Sequence, residues 1–493
     1  MKTLTSILIT FAACAGSGCS DFLKEDLQGT FSSNTFFKTK DDALFALTGV
    51  YNEAAFVSTN NVLWVFGDVA SDDAVKGGAS GDIIDIDYID NFTYSRKNTM
   101  LENMWKYYYE GVTRANYLLY YGPGIEMDAT LKNRILGEAK FLRAYFYFNL
   151  VNVYGEIPLK LLPPLSPAEI NIAKSTVATV YDQIEKDLKE AAPMLSGSYS
   201  GADVGRATQG AAWGLLAKAY IYNQAWSNAL TAINSLEASA SYSLAPLYTN
   251  NFSASLKNNS ESIFEIQHLS GQQPKLGNFL NQYFSPAKDN GYYFNVPLQN
   301  FVDEFEITGA AIPDPRLDYT VGRVGQKWVN GETFDPLWSP TGFLQKKHIQ
   351  PVSQLPIIGD GDLNYVYIRY ADILLMKAEA LNESGQTSAA MVPLNAVRKR
   401  ARESYLYDPK LVGFGAIPAG LLPDATDGGQ SVNRVAIRHE RRVELGFEFH
   451  RYFDLGRYGQ AVAEAALGTG FTYAKRYFLI PQSELDTNPA IKQ

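Results

Sequence analysis

The sequence predicts a mostly α-helical protein: tetratricopeptide-like helix pairs forming a right-handed superhelical scaffold, with an irregular, loop-rich ligand-binding part that carries short strands. Three observations predict it. Apolar residues recur at helical spacing in four separate segments. Two further segments carry the alternation of large and small residues expected of a repeated helix pair. Two long stretches show no helical period yet hold many aromatics, and long loops of that kind are uncommon unless functional.

The leader comes first. Lys2 precedes a largely apolar stretch, residues 4–15, too short to span a bilayer. Gly16, Ser17 and Gly18 lead into Cys19, and polar, charged sequence starts right after it. This pattern predicts a signal peptide over residues 1–18 and a lipid on the Cys19 thiol. Gly16 stands where a larger aliphatic residue is usual, and Cys14 is a competing site. An ordinary secretory signal with two incidental cysteines is the plain alternative. Both cysteines lie in this leader. With Cys19 lipidated, no thiol remains for a disulfide, a zinc site or a nucleophile. Nothing after residue 19 reads as a transmembrane helix, so the lipid would be the sole hold on a membrane.

The helical segments follow. Residues 41–55 place Ala43, Phe45, Ala46, Val50 and Tyr51 near one face, with Asp41 and Asp42 at the start, where the helix dipole favours acids. Residues 104–121 and 131–154 are aromatic-rich helices, the second ended by Gly155 and Pro158. Residues 177–192 form another, closed by Pro193. In 207–238, Trp213, Leu216, Tyr220, Ala229 and Ile233 fall at tetratricopeptide spacings, with Ala217 where the pattern has Gly. A second unit, 371–401, places Ala378, Leu381, Ala390, Leu394 and Val397 similarly. Small residues let paired helices approach and large ones fill the gap. The expected organisation is a helical region over 19–238, then a region over 239–493 with a loop-rich insert, 239–345, and closing helices.

Composition excludes several classes of function. A net charge of −9 and no basic stripe argue against nucleic acid as a partner. None of the four histidines, His268, His348, His439 and His450, has metal-site spacing. Neither a serine-hydrolase elbow nor a phosphate loop occurs, and no cofactor is expected. Asp72 with Asp73, or Asp303 with Glu304, would serve a glycosidase only at a set separation in a cleft. In a chain with 52 acidic residues the plain reading of such pairs is solvated surface. Asp360, Asp362 and Asn364 open like a calcium loop. Tyr365 stands where that loop needs Gly, and Ala371 where it needs Glu, so the reading is a turn.

Six blocks, in order, resemble the SusD/RagB family of Bacteroidetes outer-membrane lipoproteins. They are CSDFLKEDLQG with TFFKTKDDALFALTGVYNE, then MWKYYYEGVTRANYLL, GEAKFLRAYFYFNLVNVYGEIPL, NYVYIRYADILLMKAEALNESG, IRHERRVELGFEFHRYFDLGRYG and FLIPQSELDTNP. Phe449 departs from the pattern, since members often have Gly there, and the chain stops at Gln493 before the usual tail. The charged residues of RHERRVELGFEFHRYFDL, interleaved with large apolars, read as ion pairs fixing a buried helix corner.

The resemblance implies a nutrient-binding lipoprotein of the outer membrane, exposed at the cell surface and partnered with a SusC-like TonB-dependent transporter that it covers as a lid. The ligand is expected to be an oligosaccharide, or a peptide as in some relatives, and no catalysis is expected. A surface glycoside hydrolase, or a lid whose loops meet only the transporter, are the alternatives. Family ligands sit on loops, with aromatics stacked on sugar rings. By region, the candidates are Trp64, Asp72, Asp73 and Tyr88 from the loop 57–95, and Asn281, Tyr283, Tyr292, Tyr293, Trp328 and Trp338 from the insert. Aromatics would supply the apolar platform; Asn and Asp would bond hydroxyls.

Overall fold

Side-chain caps set where the helices begin in the computed structural model, which describes residues 36–491 apart from 241 and 356. The leader and Cys19 lie outside the described residues. Thr39 and Asp42 form a capping box at the head of α1 (Lys40–Glu53). Asn98 caps α2 (Thr99–Tyr121), Asp128 caps α3 (Ala129–Tyr154) and Thr176 caps α4 (Val177–Ala191). Gly155, at φ +72°, ends α3 in a backbone conformation that costs glycine little.

The first repeat folds as α5 (Gln209–Tyr222) and α6 (Trp226–Ser239). Its signature residues Leu216, Tyr220, Ala229 and Ile233 are buried between them, and Trp213 is half-buried at the edge. The second folds as α7 (Tyr370–Glu383) and α8 (Thr387–Arg402), with Ala378, Ala390, Leu394 and Val397 buried. Each helix packs on the next from α2 through α8, and α9 (Gln430–Leu445) closes over α7 and α8. The result is a tetratricopeptide-like stack with short strands beside it.

Those strands come in pairs. β1 (Ala74–Gly77) belongs to the first loop, β2 (Ser262–Ile266) and β3 (Phe294–Pro297) to the insert, and β4 (Tyr365–Arg369) leads directly into α7. β2 and β4 pair antiparallel and lie against α3. Phe264 meets Phe141 edge-on at 4.7 Å, and Tyr367 meets Tyr145 at the same distance.

At the end of β4 the core turns ionic. Arg369 is buried and pairs with Glu261 and Glu448, each at 2.8 Å, and with Glu444 at 2.5 Å. Arg316 holds Asp314 and Glu440, and Arg441 holds Asp372 and Asp454. Burial pushes the Glu448 carboxyl up, but Arg369 and Lys347 outweigh it and hold it at about 2. Buried pairs of this kind add little net stability, because desolvation offsets the attraction, whereas removing one partner is strongly destabilising. The RHERR segment is therefore the corner that joins α9 to the rest of the stack.

Candidate functional site

The two irregular stretches meet. β1 pairs antiparallel with β3, Val75 opposite Val296. Gly77 permits the approach: a Cβ there would stand 2.3 Å from the Tyr293 carbonyl oxygen. A short helix, Ile84–Asp90, folds back onto β1. Lys76 fixes it, its ammonium 2.7 Å from Asp87 and its main-chain N–H donating to Asp90 at 3.1 Å. Loop 57–95 and the insert thus build one face rather than two.

Most candidate residues form the foundation of that face. Trp64 is only 1% exposed, its ring packed between Phe284 at 5.3 Å and Phe294 at 6.1 Å. Tyr283 is buried beside it, 5.6 Å away. Trp328 is buried against Phe334 at 5.8 Å. Asn281 spends its carbonyl oxygen on the Gln350 amide at 2.5 Å. Arg451 holds both oxygens of Asp72, at 2.7 and 2.9 Å, and Arg442 holds Asp73 at 2.7 Å. The structure places these six side chains in packing and anchoring roles beneath the face, not on its open side. The rings lie in the core, where burial of an aromatic is worth most. The two acids anchor the first loop to the helical corner, and Asn281 anchors the insert.

The rim is what remains open. Tyr292 is 39% exposed and stacks on Phe294, centroids 5.8 Å apart and planes 28° apart. Trp338 is half-buried; it leans on Phe334 at 5.2 Å and meets Trp328 edge-on at 6.2 Å. The Lys288 ammonium sits 4.9 Å from the Trp338 ring centroid and is itself held by Glu332 at 2.6 Å. Lys288 and Tyr292 share one tight turn, residues 286–293, so Tyr292, half-buried Tyr293 and Trp338 belong to one neighbourhood. Tyr88, 43% exposed, is on the short helix that packs on β1. Open ring faces on a fixed base offer an apolar platform. The polar ends of Lys288, Asp289 and Glu332 stand beside it. Sequence reasoning missed Lys288 and Glu332, because charged residues in a turn look like solvated surface.

The acidic pairs are occupied. Asp303 accepts a hydrogen bond from Gln299 at 2.7 Å, and Glu304 is bound by Arg442 and His439. Asp360 accepts from the amides of Gly271 and Gly277, and Asp362 from Ser270, so this turn clasps the loop 268–278. Among the described residues no cluster of three or more His, Cys, Asp or Glu is placed to hold a metal.

A helix-pair stack that presents an aromatic-rimmed loop face is a binding scaffold. Residues 260–474 match the SusD family, and residues 38–221 match a family described as starch-binding and associating with the outer membrane. A laminarin-binding SusD-like protein of known structure is 30% identical, with a TM-score of 0.76 over 92% of this chain and 99% of that one. A SusD superfamily protein from Bacteroides vulgatus is 25% identical, with a TM-score of 0.77 over 93% of this chain and 99% of that one. SusD-like protein P38 of Formosa agariphila is 27% identical over 100% of this chain and 99% of its own length. This chain belongs to the SusD family. Among the described residues no helix is long and apolar enough to cross a membrane.

Proposed function

We propose that this protein is a non-catalytic, cell-surface binding protein that captures an oligosaccharide and hands it to a TonB-dependent transporter. The observation that carries this reading is the open rim formed by Tyr292 and Trp338 on a buried aromatic base. Rings already held in place lose little freedom when a flat, amphipathic sugar settles on them. The laminarin-binding relative, similar over nearly its whole length, supports a glycan as the ligand class. The non-catalytic part rests on the acidic pairs. Asp72 and Asp73 are committed to arginines, and so is Glu304, so neither of the acidic pairs singled out by the sequence is free for acid–base work. A lipid on Cys19 would tether the protein to the outer membrane.

Calorimetry of the purified protein against a panel of oligosaccharides tests the reading. Binding of at least one glycan without release of product is expected. Heat from peptides but from no glycan would move the ligand class, and product release from a polysaccharide would overturn the non-catalytic part. Cys19→Ala is expected to release the protein from membranes; continued retention would remove the anchor.

A further inference from the structure

A second cleft of about 480 Å³, between the loop 196–208 and residues 258–265, is lined by serines and asparagines. A larger cleft, about 730 Å³, opens behind the rim and has a more distinctive chemistry. Its walls are the segment 247–256, the loop 326–331, residues 346–354 and the turn 408–411. Trp328 separates the two surfaces: it meets Trp338 of the rim edge-on at 6.2 Å and also lines the cleft.

The protein is strongly acidic as a whole, but this cleft is not. Four lysines line it, Lys327, Lys346, Lys347 and Lys410, against two acids, Asp318 and Asp408. Both acids are engaged. Arg323 grips Asp318 at 2.7 Å, and Asp408 accepts from the Tyr319 hydroxyl at 2.7 Å. Lys347 is neutralised by Glu448. The remaining three lysines form no ion pair among the described residues. Lys346 donates to the main-chain carbonyl of Asp318 at 2.6 Å, and Lys327 donates to the Thr333 hydroxyl at 3.1 Å. Burial above all, then the like charges of Arg323 and Lys410, bring the Lys346 ammonium down to about 8 against the pull of Asp318. A second observation points to a ligand. The Trp328 ring is 97% buried, since its exposure is 3%, and its indole N–H has no acceptor among the described residues. Buried donors are nearly always paired, and the residue that carries this unpaired one is also part of the cleft's wall.

We infer that this cleft is a second saccharide subsite that takes an anionic sugar unit, a uronate or a sulfate ester. Lys346 and Lys410 would neutralise the charge, with Trp328 donating to a ring or hydroxyl oxygen. Lysine suits this work as a point charge on a flexible stem. The inference rests on the reading of the protein as a glycan binder, and the variants below separate the two.

The test is calorimetry at low salt with four probes: a galacturonic acid trimer, a sulfated galactose trimer, an uncharged galactose trimer and inorganic sulfate. At least one charged trimer is expected to bind about tenfold or more tightly than the uncharged one. Lys346→Gln and Lys410→Gln should each weaken the charged trimer about tenfold. Lys346→Arg should retain it. Whichever charged trimer binds names the source of the charge. The subsite is overturned if no charged trimer binds or if both glutamine variants bind as the parent does. Equal affinity for inorganic sulfate and the sulfated trimer overturns the saccharide part. Lys410 is exposed, so its variant remains informative if Lys346→Gln fails to fold.

Discussion

Gly67 lies against the main chain of Phe449: a Cβ built at position 67 would stand 2.3 Å from the Phe449 carbonyl oxygen. Phe449 itself holds φ at +68°, in the left-handed region that favours glycine. That backbone would cost a glycine little. Here the ring compensates by stacking on Tyr365 and on His348, each at 4.9 Å. Losing a buried ring costs about 3–5 kcal/mol, and left-handed backbone strain costs about 1–2 kcal/mol. Phe449→Ala removes the ring and keeps the strain, whereas Phe449→Gly removes both. Urea unfolding should therefore rank Gly as the milder change by about 1 kcal/mol. Equal losses would mean that the backbone there is unstrained. Gly67→Ala should be worse than either, because the clash is with backbone that cannot swing aside.

The neighbouring residue sets a pH dependence. Asp68 is fully buried; it accepts from the Asn295 amide at 3.0 Å and from the Phe449 N–H at 3.1 Å. Burial, the largest influence, raises its carboxyl to about 8, so it is mainly neutral in the folded protein at pH 7. In the unfolded chain it ionises near 3.9. The unfolded state therefore gains by ionising at a pH where the folded state cannot. This penalty is absent below about pH 4, grows as pH rises from there to about 8, and then levels off. Asp68→Asn should flatten stability between pH 5 and 7.5 by about 2–3 kcal/mol. The Asn295 oxygen, which has no partner now, could accept from the new amide. An unchanged pH slope in the variant would show that Asp68 is ionised after all.

Much of the scaffold was legible because its signals are local. The spacing of Leu216, Tyr220, Ala229 and Ile233 demands a paired partner helix within the same stretch of chain, and the acids Asp41 and Asp42 mark the head of the first helix within two residues. The face was legible only as a region. Exposure is set by partners hundreds of residues away: Asp73 is taken by Arg442, and Trp64 is enclosed by Phe284 and Phe294. Nothing at position 64 distinguishes an indole that will be covered from one left open at position 338.

Asp72 and Asp73 provide a direct contrast between anchoring and binding. If Arg442 and Arg451 hold the first loop in place, Arg442→Met leaves buried Asp73 with only the more distant Arg451, 3.7 Å away, at a cost of about 3 kcal/mol. Folded protein at low temperature should still bind its glycan with the parent's affinity, because neither acid faces the rim. A selective loss of affinity with stability intact would return these acids to the binding site.

The rim makes the sharpest prediction, because adjacent aromatics should behave in opposite ways. Tyr292→Ala removes a ring that is 39% exposed and covers only Phe294 and Tyr283 on its inner side. It should cost little stability yet weaken glycan binding about tenfold or more. Trp338→Ala should do the same, with somewhat more destabilisation, since Phe334 and Trp328 lose a neighbour. Trp64→Ala opens a cavity beneath the face and should cost about 3–5 kcal/mol. Any loss of binding by that variant should track its unfolded fraction. Thermal melts read beside calorimetry separate the cases. If the Tyr292 and Trp338 variants bind every glycan as the parent does while remaining folded, the open rings are not the platform.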